Sequence, residues 1–192
     1  MFLPLPAMLR SGLLRRLDPE MIHAELLDQL AAFQDLFGRA PDFVDGHQHA
    51  QLFPQVREAF LRAVKQAAPG AWVRQGGRPQ PLAKRLGSPK GLLLDMLSAR
   101  FRKLAAKAGI PFNPAFAGAY DFSRATEADF ARLFPRFLRG LPAQSVVMCH
   151  PGFVDAELER LDPLTTQRER EYAYLAGEAF PAVLRAHGVA LA

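Results

Sequence analysis

Short apolar runs alternate with stretches of ten or more residues in helical periodicity, and this alternation constrains the chain more than any other feature. Strands joined through helices cannot form hairpins; they pair in parallel through right-handed crossovers. The spacing predicts strands at residues 43–45, 71–74, 112–117, 145–149 and 188–191, and the fold class is α/β, barrel or open sheet. Asp18-Pro19 has the form of a helix start, with Asp as N-cap and Pro at the first helical position. Ile22, Leu26, Leu30, Phe33 and Phe37 then share one face, and Gly38 closes the helix. Further helices are expected over residues 54–67, 88–108, 126–138 and from 166 onward, with Thr126/Asp129 and Thr166/Glu169 as capping pairs. Residues 75–87 read as loop. The first 17 residues read as a poorly patterned lead-in, and Trp72 and the phenylalanines as core.

A length of 192 residues predicts a single domain spanning residues 1–192. The one cysteine, Cys149, rules out an internal disulfide and a cysteine-based metal cluster, which fits a reducing cytoplasm. A pI of 9.8 raises the question of nucleic acid. The basic residues are spread along helices and mixed with acids, as in Arg168-Glu169-Arg170-Glu171, so they read as solvated surface rather than a polyanion groove. No apolar run approaches the roughly eighteen residues of a membrane span.

Asp45, His47, His49, Arg74 and His150 all fall at the C-terminal ends of predicted strands, the edge where parallel α/β folds build active sites. In Asp45-Gly46-His47-Gln48-His49, alternate residues of an extended chain face the same way, so a carboxylate and two imidazoles can converge on a divalent metal. A polar loop with surface histidines accounts for the same spacing. In Met148-Cys149-His150-Pro151-Gly152, an apolar strand delivers a histidine to the active edge, to protonate a leaving group or merely to shape a turn. Arg74 can clamp a substrate oxygen or serve a surface salt bridge. Cys149 reads as a buried structural thiol, and His23 and His187 sit in helices without a role.

The run 36–54, LFGRAPDFVDGHQHAQLFP, resembles the segment FGRxPxxxDSHHHVHxFP of YdjC-like carbohydrate deacetylases. VMCHPGF at 147–153 is similar to that family's MCHPGF strand end, and residues 161–171 to its last loop and helix. The resemblance implies a parallel (β/α) barrel-like fold lacking the family's first strands. It also implies one divalent metal, Mg2+ or Zn2+, and removal of acetyl groups from N-acetylated sugars (chitooligosaccharides or a lipid-linked glycan) by metal-activated water. The family's metal ligands are an aspartate of an N-terminal Asp-Asp motif, a histidine of a following strand and the first histidine of the SHHH segment. Only the last maps here, onto His47. His150 maps onto the family's C-terminal active-site histidine, while Gln48 and Gln51 stand where many members have histidine. The expected roles are His47 as metal ligand, His150 and Asp45 as catalytic groups, and Arg74 and His49 as substrate-binding groups. Homodimerisation is left open. The rivals are another metal-dependent amidohydrolase or phosphoesterase, and an inactive remnant or binding module.

Overall fold

The computed structural model describes residues 4–78, 89–120, 127–162 and 164–191. It is a mixed α/β structure, mostly helical, with small parallel sheets, and it divides into two compact units at residues 115 and 116.

The first unit runs α1 (Leu5–Leu13), α2 (Pro19–Phe37), β1 (Phe43–Val44), a 3-10 segment (His47–Leu52), α3 (Val56–Ala67), β2 (Trp72–Val73) and α4 (Pro89–Ala108). The lead-in read as unpatterned is therefore largely helical. The expected cap of α2 forms: Asp18 Oδ1 accepts from the backbone N–H groups of Glu20 (2.9 Å) and Met21 (3.2 Å). Strands β1 and β2 pair in parallel, Phe43 with Trp72 and Val44 with Val73, and Val73 bridges in parallel to Phe112 on its other side. Parallel pairing follows because α3 and α4 supply the crossovers. The core lies between this small sheet and the helices, around Leu30, Leu52, Phe60, Val64, Val73 and Phe101. Not every aromatic joins it. Phe43 is exposed on β1 and stacks on Trp72 with ring centroids 5.1 Å apart, and Phe37 lies outside the buried stripe of α2.

The second unit runs β3 (Phe116–Ala117), α5 (Glu127–Leu138), β4 (Val146–Val147), α6 (Ala156–Leu161), α7 (Thr166–Ala176) and α8 (Ala179–Ala186). Here too the strands are parallel, Phe116 with Val146 and Ala117 with Val147, and Met148 N–H extends the ladder to the Ala117 carbonyl. Gly118 has φ 95°, and a Cβ there would collide with the Met148 carbonyl oxygen, so only glycine lets the two strand ends approach so closely. Phe130, Phe134, Leu138 and Tyr174 form the core.

Further expectations are corrected. Thr166 and Glu169 form no capping pair: Thr165 holds the N-cap position of α7 and makes no side-chain hydrogen bond there. The single closing helix is two, because the chain breaks at Gly177 before α8. Residues 188–191 form no strand. The charged run 168–171 is not all solvated: Glu171 is fully buried, because its position on α7 turns it inward with Gln167 and Tyr174. The Thr126/Asp129 cap lies outside the described residues, as does most of the loop expected at 75–87.

Candidate functional site

Strand β1 ends at Val44 and delivers Asp45 to its C-terminal edge; β2 ends at Val73 and delivers Arg74 beside it. Arg74 is neither a surface residue nor a free clamp: its side chain is only 7% exposed. Its Nε donates to Asp45 Oδ2 at 2.6 Å, its Nη1 lies 2.8 Å from His49 Nδ1, and its Nη2 donates to the Gly46 carbonyl at 3.3 Å. A guanidinium has donors only and stays protonated, so His49 Nδ1 must be the acceptor. The neutral imidazole then carries its proton on Nε2 and presents a donor there.

The expected convergence by extended alternation does not occur. Gln48 (φ 51°, ψ 32°) and His49 (φ 63°, ψ 19°) are consecutive left-handed non-glycine residues inside the 3-10 segment. Each such residue costs about 1–3 kcal/mol and persists only where tertiary contacts hold it. Arg74 on His49 is one such contact, and Gln51 is another. Gln51, 1% exposed, donates through Nε2 to Asp45 Oδ1 (3.1 Å) and to the Arg74 carbonyl (3.0 Å). The result brings Asp45, His49 and Arg74 together and leaves His47 exposed on the outside of the turn.

Gly46 and Gln51 depend on each other. A Cβ at position 46 would sit 2.5 Å from Gln51 Oε1 and 2.9 Å from Gln51 N. Position 46 is serine in the family segment that the chain resembles, and position 51 is histidine. The two departures from that pattern therefore touch.

Replacing Arg74 with lysine tests this arrangement. An ammonium is a point donor without the planar fork, so it can keep Asp45 or His49 but not the same geometry to both. The 15N shifts of His49 should report the Nε2–H tautomer in the native protein. They should show an averaged or switched tautomer in Arg74→Lys; an unchanged tautomer would mean that Arg74 does not set it.

In the second unit, β4 runs out at Val147 and the chain turns through Cys149, His150 and Pro151. His150 is half-buried, and its backbone N–H donates to Glu171 Oε2. Tyr120 Oη donates to Glu171 Oε1 at 2.5 Å. Burial first, and the Glu171 carboxylate second, push the Tyr120 phenol far above its ordinary range. Neither Tyr120 nor Glu171 was visible as a site residue in the sequence; the only signal was a charged residue at helical spacing between Gln167 and Tyr174.

Cys149 is exposed by surface area rather than buried as expected, because the strand ends before it. Enough protein surrounds the thiol that desolvation, aided by the Glu171 carboxylate, pushes it above its ordinary 9.0. The thiol form therefore prevails at neutral pH, and alkylation by iodoacetamide should be slower than for a free cysteine, recovering only as the pH passes 9.0. Rapid alkylation at pH 7 would contradict this.

Among the described residues, no group of three or more His, Cys, Asp or Glu side chains is placed to hold a metal ion. His47 is open enough to serve as one ligand. Asp45 is engaged by Arg74 and Gln51, and the His49 Nδ1 lone pair by Arg74. The described side chains thus fit a one-ligand contribution and do not make a complete donor set.

Parallel strands β1 and β2, whose C-terminal ends bring Asp45, Arg74 and His49 together, define an α/β unit with a polar edge of the kind on which such folds build sites. The family model described as YdjC-like protein matches residues 4–186, and the chain belongs to that family. Chitooligosaccharide deacetylases of Salmonella paratyphi B and Salmonella typhi are each 29% identical over 161 residues, covering 79% of this chain and 55% of theirs. The chain therefore spans about half the length of these curated relatives. A crystal structure from Enterococcus faecalis V583, described provisionally as a cellobiose-phosphate cleavage protein, superposes with a TM-score of 0.70 at 17% identity. It covers 93% of this chain and 60% of its own, and it establishes the likeness in fold alone.

Proposed function

We propose that this chain carries part of the active site of a metal-dependent carbohydrate N-deacetylase, which hydrolyses the acetamide of an N-acetylated sugar to acetate and a free amine. Membership of the YdjC-like family carries the reading, supported by relatives named as chitooligosaccharide deacetylases. In this reading the parallel segments belong to a (β/α) barrel, and the sugar is a chitooligosaccharide or a lipid-linked glycan. His47 contributes one ligand to a Mg2+ or Zn2+ ion, whose chemistry is Lewis-acid polarisation of the carbonyl and activation of water.

The chain's own residues do the rest. Asp45 takes one side of the Arg74 guanidinium and fixes its plane. Arg74 in turn holds His49 in the Nε2–H tautomer, which makes that nitrogen a donor of the kind that binds a sugar hydroxyl or acetamide oxygen. His150, at the end of β4, supplies the proton to the amine leaving group.

The deciding experiment measures acetate release from an N-acetylated chitooligosaccharide with Mg2+ or Zn2+, alongside calorimetric titration of the metal. His47→Ala should abolish release and lower metal affinity by at least ~10-fold, since loss of even an outer partner of a ligand costs that much. Unchanged affinity and rate in that variant would overturn the reading. Turnover of cyclic amides or phosphoesters in place of acetylated sugars would point to a different hydrolase. The incomplete donor set favours a second reading of the chain alone, as a binding module without turnover. That reading expects sugar binding without acetate release.

A further inference from the structure

Glu171 is a costly side chain to bury in the second unit. It is 0% exposed, and among the described residues its partners are two neutral donors, the Tyr120 hydroxyl and the His150 backbone N–H. A carboxylate buried without a counter-ion loses its hydration, and two hydrogen bonds recover only part of that. An apolar residue at this buried position on α7 would carry no such cost.

The carboxylate sits where the sheet can no longer hold the chain. Met148 N–H is the last ladder bond of β4, made to the Ala117 carbonyl. Beyond it Pro151 has no N–H to give, and the turn is pinned to α7 instead. His150 N–H goes to Glu171, Gly152 N–H goes to the Arg168 carbonyl at 3.2 Å, and Val154 N–H to Glu169 Oε1 at 3.3 Å. Of these three contacts, only that of Glu171 falls on the histidine itself, and it is made by a side chain that is itself fully buried. Tyr120 fixes the other carboxylate oxygen, so the group has little freedom to rotate.

We infer that Glu171 is a positioning residue: its carboxylate, anchored by Tyr120, holds the His150 backbone where β4 ends and thereby sets where the imidazole stands. The inference rests on the reading in which His150 takes part in deacetylation. A displacement of about 1 Å at a reacting group can cost on the order of 100-fold in rate, so a backbone anchor at this point has kinetic weight.

The test compares Glu171→Asp, which keeps the charge but is one methylene too short to reach both donors, with Glu171→Gln, which keeps the reach. Hydrogen exchange of the His150 amide, followed by NMR, should be at least ~10-fold faster in Glu171→Asp and near native in Glu171→Gln. In acetate-release assays kcat should fall ~10–100-fold in Glu171→Asp with KM within about twofold, and recover most of the way in Glu171→Gln. A purely structural glutamate would lower the melting temperature and leave kcat of the folded protein unchanged, and that result would overturn the inference. So would native amide protection in Glu171→Asp. If the native protein releases no acetate, or His150→Ala keeps its rate, the deacetylase reading fails by itself. Amide exchange then still decides whether Glu171 anchors His150.

Discussion

In a preparation that releases acetate, His150→Ala is expected to lose about 10²–10⁴-fold in kcat, the range over which a positioned general acid acts. An amine leaves a tetrahedral carbon poorly unless it is protonated, and histidine is the side-chain type whose ordinary range best suits it to hold and give such a proton. Structure should be spared, because the contact with Glu171 comes from the backbone N–H and survives truncation of the side chain. The melting temperature should therefore move by only a few degrees, while acetate release collapses. Equal losses of stability and rate would mean that the imidazole is structural. Full activity would remove His150 from the mechanism and leave proton delivery to another group.

The parts of this molecule fixed by local chemistry were legible in the sequence. Asp18-Pro19 starts a helix because a side-chain oxygen and a missing N–H suit the first turn, whatever packs against it. Parallel pairing was legible too, since helices between strands leave no alternative. Residues 47–49 were not, because no Gly or Asn marks positions 48 and 49 as left-handed. Their conformation is held by contacts distant in sequence, among them Arg74, 25 residues from His49. Alternation along a strand is a sound rule only while the chain remains a strand, and here it ends at Val44. Arg74 itself was visible as a strand-end cation, yet its partners were open, since the choice between substrate and Asp45 is made by tertiary placement. Glu171 was hidden for the opposite reason. Its immediate neighbours Arg170 and Tyr172 are polar, and only the three-dimensional packing of α7 shows that position 171 faces inward.

Phe130→Ala is expected to be the most damaging single change in the second unit, costing about 3–5 kcal/mol. The ring is 0% exposed and lies at the centre of an aromatic cluster. Its centroid is 5.2 Å from Tyr174 in an edge-on arrangement, 5.7 Å from Tyr120 and 5.8 Å from Phe134. Truncation removes the transfer energy of a phenyl group, leaves a cavity among the neighbouring rings, and forfeits the edge-on contact with Tyr174, worth about 0.5–1.5 kcal/mol. The same rings join α5 to α7, and Tyr120 carries the hydroxyl on Glu171. A thermal melt should show the midpoint lowered by roughly 6–20 °C. Below that midpoint, the loosened α7 should raise the exchange rate of the His150 amide before the rest of the unit opens. A drop of only a degree or two would show that the cluster closes over the missing ring. Native His150 protection in a destabilised Phe130→Ala protein would show that the aromatic core and the histidine turn are energetically separate.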